Sequence, residues 1–137
     1  MAAMSNYLES ALLNHVFRTT DFVQPATLAV ALCTSSPTAA DTGATIPEVV
    51  GGNYARMSIA RNDVNWTLTT NEVCNTAIIL FPQASAVWGQ ITHVAILDNA
   101  TLGAGNLLFF GGLSVQKTVG DGDIFEFDIN QLKVQLN

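Results

Sequence analysis

The spacing of apolar positions changes once along this chain. Over the first eighteen residues they recur every three or four places. Leu8, Leu12 and Val16 stand at i, i+4 and i+8, and Ala11 widens the stripe. This spacing predicts a helix over about residues 6–18. Asn6 with Glu9 three residues on reads as a capping box. Residues 19–21 supply the exit, and Pro25 bars any resumption. A helix this short and solitary needs a surface to dock on, its own sheet or a neighbouring subunit.

From Thr27 onward the period is that of strands. "TLAVALC" is apolar on both faces, as in a buried strand. "YARMSIAR" alternates, with Ala55, Met57 and Ile59 on one face and Arg56 and Ser58 on the other. "EVCNTAIILF" and "ITHVAILD" read as long strands, and "NLLFFGGLSV" as another. "DIFEFDI" sets Phe125 and Phe127 against Glu126 and Asp128, and "LKVQL" turns Leu132, Val134 and Leu136 inward. Helical crossovers are missing, which argues against a doubly wound fold. The expected fold class is mainly β: an antiparallel β-sandwich of jelly-roll type with one short N-terminal helix, in a single domain over residues 1–137. Residues 34–53 form a long polar connection rich in small residues, the kind that serves binding or is disordered.

Composition narrows the function classes. The chain has 137 residues, 49% apolar and only 12% charged, against about 25% charged in an average soluble domain. So neutral a surface suits a protein that works packed against other copies or partners. The net charge is −6, and its five Lys and Arg residues are scattered singly. This argues against nucleic-acid binding, which needs clustered positive charge, and against a basic membrane-surface helix. Apolar runs fall short of the ~20 residues of a membrane span. The N-terminal stretch lacks the basic and apolar regions of a signal peptide. Cys33 and Cys74 stand in β-like runs without a CxxC pattern, and read as buried thiols; a disulfide between neighbouring strands stays open.

Several residues suggest chemistry, and in each case the bland reading is the better one. Gly103-Ala104-Gly105 lacks the third glycine and the following helix of a dinucleotide loop, and reads as a hairpin turn. His93 and Asp98 lie five residues apart along one strand, more than ~15 Å, and on opposite faces. There is no GxSxG elbow to complete a triad, so a small hydrolase using His93 is a distant alternative. His93 reads as bonded to a backbone carbonyl or a subunit neighbour, and alternation places it on one face with Ile91, Ala95 and Leu97. His15 has no HExxH context. Asp121 and Asp123 flank a glycine at a tight turn and read as turn chemistry before a cation cradle. Trp66 and Trp88 could stack on a sugar, but read as plugs at a sandwich end or subunit seam. No cofactor, metal or catalytic residue is expected.

The order of motifs resembles a family of small tailed-phage virion proteins, often labelled tail fibre-like. The resemblance rests on "SNYLESALLNHVF", "QPATLAVALCTSSP", "GGNYARMSIAR", "LFPQASAVWGQITHVAILDNATLGAGNLLFFGGLSVQKTVGDGDIFEF" and "LKVQL". It covers nearly the whole chain, with residues 38–50 the chain's own. It implies a non-enzymatic virion structural protein. A small acidic chain of this kind is also similar to head cement proteins, and the absence of a shaft-like repeat favours that reading. The expectation is therefore a capsid cement or decoration protein that clamps neighbouring capsomers, with a tail fibre or baseplate component for host-receptor binding as the alternative. Expected partners are the major capsid protein and other copies of the chain, as dimer or trimer, with no nucleic acid and no membrane. The interface candidates are Tyr7, Tyr54, Arg56, Trp88 and His93, and the N-terminal segment and the long loop are the expected contact arms.

Overall fold

The run at residues 27–33 is apolar on both faces, so it belongs inside a sheet covered on both sides. The computed structural model, which describes residues 2–136, places it there. The elements in chain order are β1 (Ala3–Met4), α1 (Asn6–Phe17), β2 (Thr27–Cys33), β3 (Met57–Ala60), β4 (Trp66–Thr69), β5 (Glu72–Asn75), β6 (Ile79–Leu80), β7 (Gly89–Leu97), β8 (Leu107–Val119), β9 (Glu126–Phe127) and β10 (Lys133–Gln135). They form a five-stranded sheet in the order β1-β8-β7-β2-β3, a three-stranded sheet β10-β5-β4 and a two-stranded sheet β6-β9. All pairings are antiparallel. The protein is mainly β with one short N-terminal helix, as the sequence predicts. The five-, three- and two-stranded division does not by itself make it a jelly roll.

Alternation along β2 divides the interior in two. Val30 and Leu32 face a core that gathers Tyr54, Phe81, Trp88, Ile91, Phe125 and Phe127, with Met57 and Ile59 packed against it. This layer packs the large sheet against β6 and β9, around which aromatic rings meet edge to face. Phe81 and Phe125 stand 5.7 Å apart, and Phe125 and Phe127 5.2 Å. The other face carries Ala29, Ala31, Cys33, Ala95 and Leu97. Small side chains there let a loop approach closely, and Ile46 of the long connection fills the space.

Four details differ from the sequence reading. Ser5, not Asn6, caps α1: its side chain accepts from the Leu8 N–H. The run "EVCNTAIILF" is two strands, because residues 76–78 leave the ladder between β5 and β6. Strand β4, "WTLT", is additional; it turns into β5 through Thr70, at φ 53°. Ile91 lies on the opposite face of the sheet from His93. Ile91 pairs with Lys117 and His93 with Gly112, so Thr92 alone stands opposite residues 113–116, and this irregularity breaks the alternation. Ile91 joins the aromatic core, while Ala95 and Leu97 join the other.

Candidate interaction surfaces

Arg56 is the most connected side chain of the protein. It lies just before β3, with no exposed side-chain surface. Its Nε donates to Glu48 Oε1 at 2.8 Å and its Nη2 to Oε2 at 2.9 Å. Nη2 also donates to the Gly43 carbonyl at 2.9 Å. Nη1 reaches three carbonyls of the turn between β7 and β8: Asn99 and Thr101 at 2.9 Å, and Ala104 at 2.8 Å. Every N–H of the guanidinium fork is therefore engaged, and Glu48 neutralises the buried charge. One side chain ties the long loop and a distant hairpin turn to the sheet.

The long connection is thus part of the folded body. Beyond Arg56 it is held by strand-like pairing with β2: Thr34 N–H donates to Pro47 O and Val49 N–H to Leu32 O. At its outer end Asp41 accepts from the Thr38 N–H and hydroxyl and from Thr45 Oγ1. These bonds, the Thr38 N–H first, hold its carboxyl below the ordinary carboxylate value. The turn at residues 98–106 docks on the same loop: Gly43 N–H donates to Gly105 O, and a Cβ on Gly43 would stand 1.9 Å from the Ala104 oxygen. The Gly103-Ala104-Gly105 run is a hairpin turn whose carbonyls serve Arg56.

Tyr54 and Trp88 close the aromatic core beside this hub. The Tyr54 hydroxyl donates to Glu48 Oε1 at 2.7 Å and accepts from the Leu32 N–H at 3.0 Å. Burial, with the Glu48 charge adding to it, pushes the Tyr54 pKa well up, so the ring stays a phenol. Trp88 packs edge-on to Tyr54 at 5.4 Å, and its Nε1–H donates to Gly52 O at 2.8 Å. Burial likewise lifts the Cys33 thiol to about 12. Cys33 and Cys74 are both free.

Of the five interface candidates, Tyr54, Arg56 and Trp88 are buried and their polar atoms are already partnered within the chain. Any part they play at an interface is exerted through the loops they hold. His93 is half-buried, and its Nδ1 lies 2.7 Å from the Thr92 hydroxyl. Tyr7 alone stands on the surface, on α1. His93 and Asp98 are committed separately: Asp98 accepts from the backbone N–H and side-chain amide of Asn106 at the neck of the hairpin. Asp123 accepts from Gly120 N–H at 2.8 Å, in a turn that Gly122 enters at φ 84°. Among the described residues, no cluster of three His, Cys, Asp or Glu side chains could hold a metal.

Two polar residues that anchor the interior, the half-buried Glu48 and the buried Asn75, escaped the sequence reading. Glu48, in "IPEVV", is a lone charge in an apolar run, the one hint that it has a buried partner. Asn75 donates to Ala77 O and Asp128 O and accepts from Leu132 N–H, stitching the C-terminal segment to β5. Nothing local in its sequence marks it.

A family model described as podophage GP4 fiber I protein gp80 matches residues 3–135. The chain belongs to this family. The match agrees with the resemblance of its motifs to tailed-phage virion structural proteins. No curated protein matches the chain. Among the described residues, no helix is long and apolar enough to cross a membrane.

Exposed apolar residues are spread over the described surface, Val50 at 90% among them, and one group of them lies on and just after α1. Leu8 is buried, but Val16 is 67% exposed and Phe17 78%, with Leu13 also outward. The expected stripe therefore docks only at its N-terminal end. Beyond the helix, Phe22 N–H donates to His15 Nδ1 at 3.2 Å, a closer contact than the 3.6 Å from that nitrogen to Asp21, and Val23 is 85% exposed.

Proposed function

We propose that this chain is a non-enzymatic component of a podophage fibre, working by contact with other virion chains. The family match over residues 3–135 carries the reading. It favours the fibre over the capsid cement role that chain size and missing shaft repeats suggest. The placement of the chemically suggestive residues supports contact over catalysis. Asp98, Asp123 and the Gly103–Gly105 turn each have a partner that fixes backbone or neck geometry, and His93 Nδ1 faces the Thr92 hydroxyl. Meanwhile large apolar side chains on α1 and the segment after it face outward, as they do in proteins that assemble. The virion is then the place of action, and the partners are further copies and other fibre or baseplate chains.

Deletion of the gene in a phage carrying it separates the readings. A fibre component predicts intact, filled heads with reduced adsorption to the host. Heads that lose integrity on heating while adsorption is unchanged would support the cement role instead.

A further inference from the structure

We infer that copies of this chain associate head to tail, the apolar arm formed by α1 and residues 18–23 of one copy filling an apolar groove between the two larger sheets of the next.

Among the described residues, two apolar features stand without a partner within the chain. The first is the arm. With ~3.6 residues per turn, Leu13 and Phe17 lie on the side of α1 away from Leu8, and Val16, on the Leu8 stripe, is left exposed at the far end of the helix. A helix that is apolar on both sides is normally buried on both. Val23 continues the apolar surface beyond the helix.

The second feature is a groove of about 610 Å³ where the five-stranded and three-stranded sheets splay apart. Its floor is Leu28, Ile96 and Phe109 of the large sheet, and its opposite wall Leu68, Val73 and Val134 of the small one. Pockets of that size and apolar character hold ligands of drug-like size, and the space admits several side chains. Leu68 is 69% exposed although it stands on the apolar wall.

Charge favours a second copy as the occupant. Arg18 and Asp21 follow the helix on the arm, and Arg61 and Asp63 stand on the rim of the groove. An arm entering a neighbour's groove offers each Arg an opposite Asp, whereas the rest of the groove lining is uncharged. A contact between two different patches of the same chain is heterologous; repeated, it closes into a ring or continues as a filament. An isologous helix pair would cover the arm and leave the groove empty. The inference concerns the chain's own association and does not depend on where in the virion it sits.

The test uses sedimentation of the purified full chain and two single variants, Phe17→Asp on the arm and Leu68→Asp in the groove. Both positions are exposed, and unchanged thermal melts establish that both variants fold. The wild type is expected to sediment as an oligomer, and each variant alone as a monomer. An equimolar mixture of the two should form a species of exactly two chains, because one intact arm and one intact groove remain between them. A monomeric wild type at millimolar concentration overturns the inference. So does either variant assembling like the wild type, or a mixture that stays monomeric. If a variant's melt shifts, Val23→Asp replaces the arm variant and Val134→Asp the groove variant, read in the same way.

Discussion

Arg56 and Glu48 form a two-pronged ion pair in the interior, at 2.8 and 2.9 Å, and this pair makes the longest loop a fixed part of the body. Removing one member of a buried pair strands the other charge, which costs about 3–5 kcal/mol. Glu48→Gln should therefore destabilise by that amount in denaturant titrations. Arg56→Lys should cost nearly as much, because an ammonium cannot reproduce the fork. Both should expose residues 34–53 to proteolysis. A loss below ~1 kcal/mol, the worth of a surface pair, would show that the loop is held by something else.

Gly43 tests the docking of the hairpin turn separately. Its φ is not in the left-handed region, so alanine brings no backbone strain, and without a clash Gly→Ala stabilises by ~0.4–1 kcal/mol. Here the added Cβ would stand 1.9 Å from the Ala104 oxygen, a backbone atom that cannot swing aside. Gly43→Ala should destabilise by about 2 kcal/mol or more, in the range of overpacked interiors. A neutral or stabilising result in thermal melts would mean that the loop and turn are not in contact.

The two tryptophans should respond oppositely to Phe. Trp88 Nε1–H donates to Gly52 O, so Trp88→Phe leaves that carbonyl only the Ser85 N–H and opens space in the aromatic core, at a cost of about 1–3 kcal/mol. Trp66 Nε1 is buried and has no hydrogen-bond partner. Trp66→Phe removes a polar group that gains nothing by burial, and should be neutral or stabilising. Equal losses at both positions in chemical denaturation would contradict this assignment.

Thiol chemistry checks the layering of the sheets. Cys33 is fully buried with its pKa raised from 9.0 to about 12, first by burial and then by Glu48. Between those values the folded protein keeps a proton that the unfolded chain releases. The stabilisation from this group is intact below pH 9.0 and is lost as the pH rises toward 12; Tyr54, shifted in the same direction, adds to the loss. Alkylation at mildly alkaline pH should modify the half-buried Cys74 in the native protein, and Cys33 only on unfolding. Equal labelling rates for the two in the folded state would refute the burial of β2.

The sequence made the periodic parts of this fold legible, and the long-range parts stayed hidden. The stripe at Leu8, Leu12 and Val16 marked the helix, and the doubly apolar run at residues 27–33 marked the central strand. The cap was misread because Ser5 is fixed from afar: its N–H donates to the Leu108 carbonyl, 103 residues on. Strand β4 was missed because it is only four residues long: "WTLT" alternates, with Trp66 and Leu68 toward the groove, but over too short a span to stand out. The face of Ile91 was misassigned because an irregularity opposite residues 113–116 leaves no trace in local periodicity. Tyr54 and Arg56 read as interface anchors in the sequence, but they are buried, because a residue type favoured at interfaces is equally suited to a buried hub. The acceptors of Arg56, from Gly43 to Ala104, come together only in the folded chain.

The central claim is that this chain is a fibre component. The direct measurement is electron microscopy of intact particles carrying a gold-labelled tag on the protein. The account predicts label confined to fibres projecting from the particle. Label distributed over the capsid surface at the joints between capsomers would contradict it.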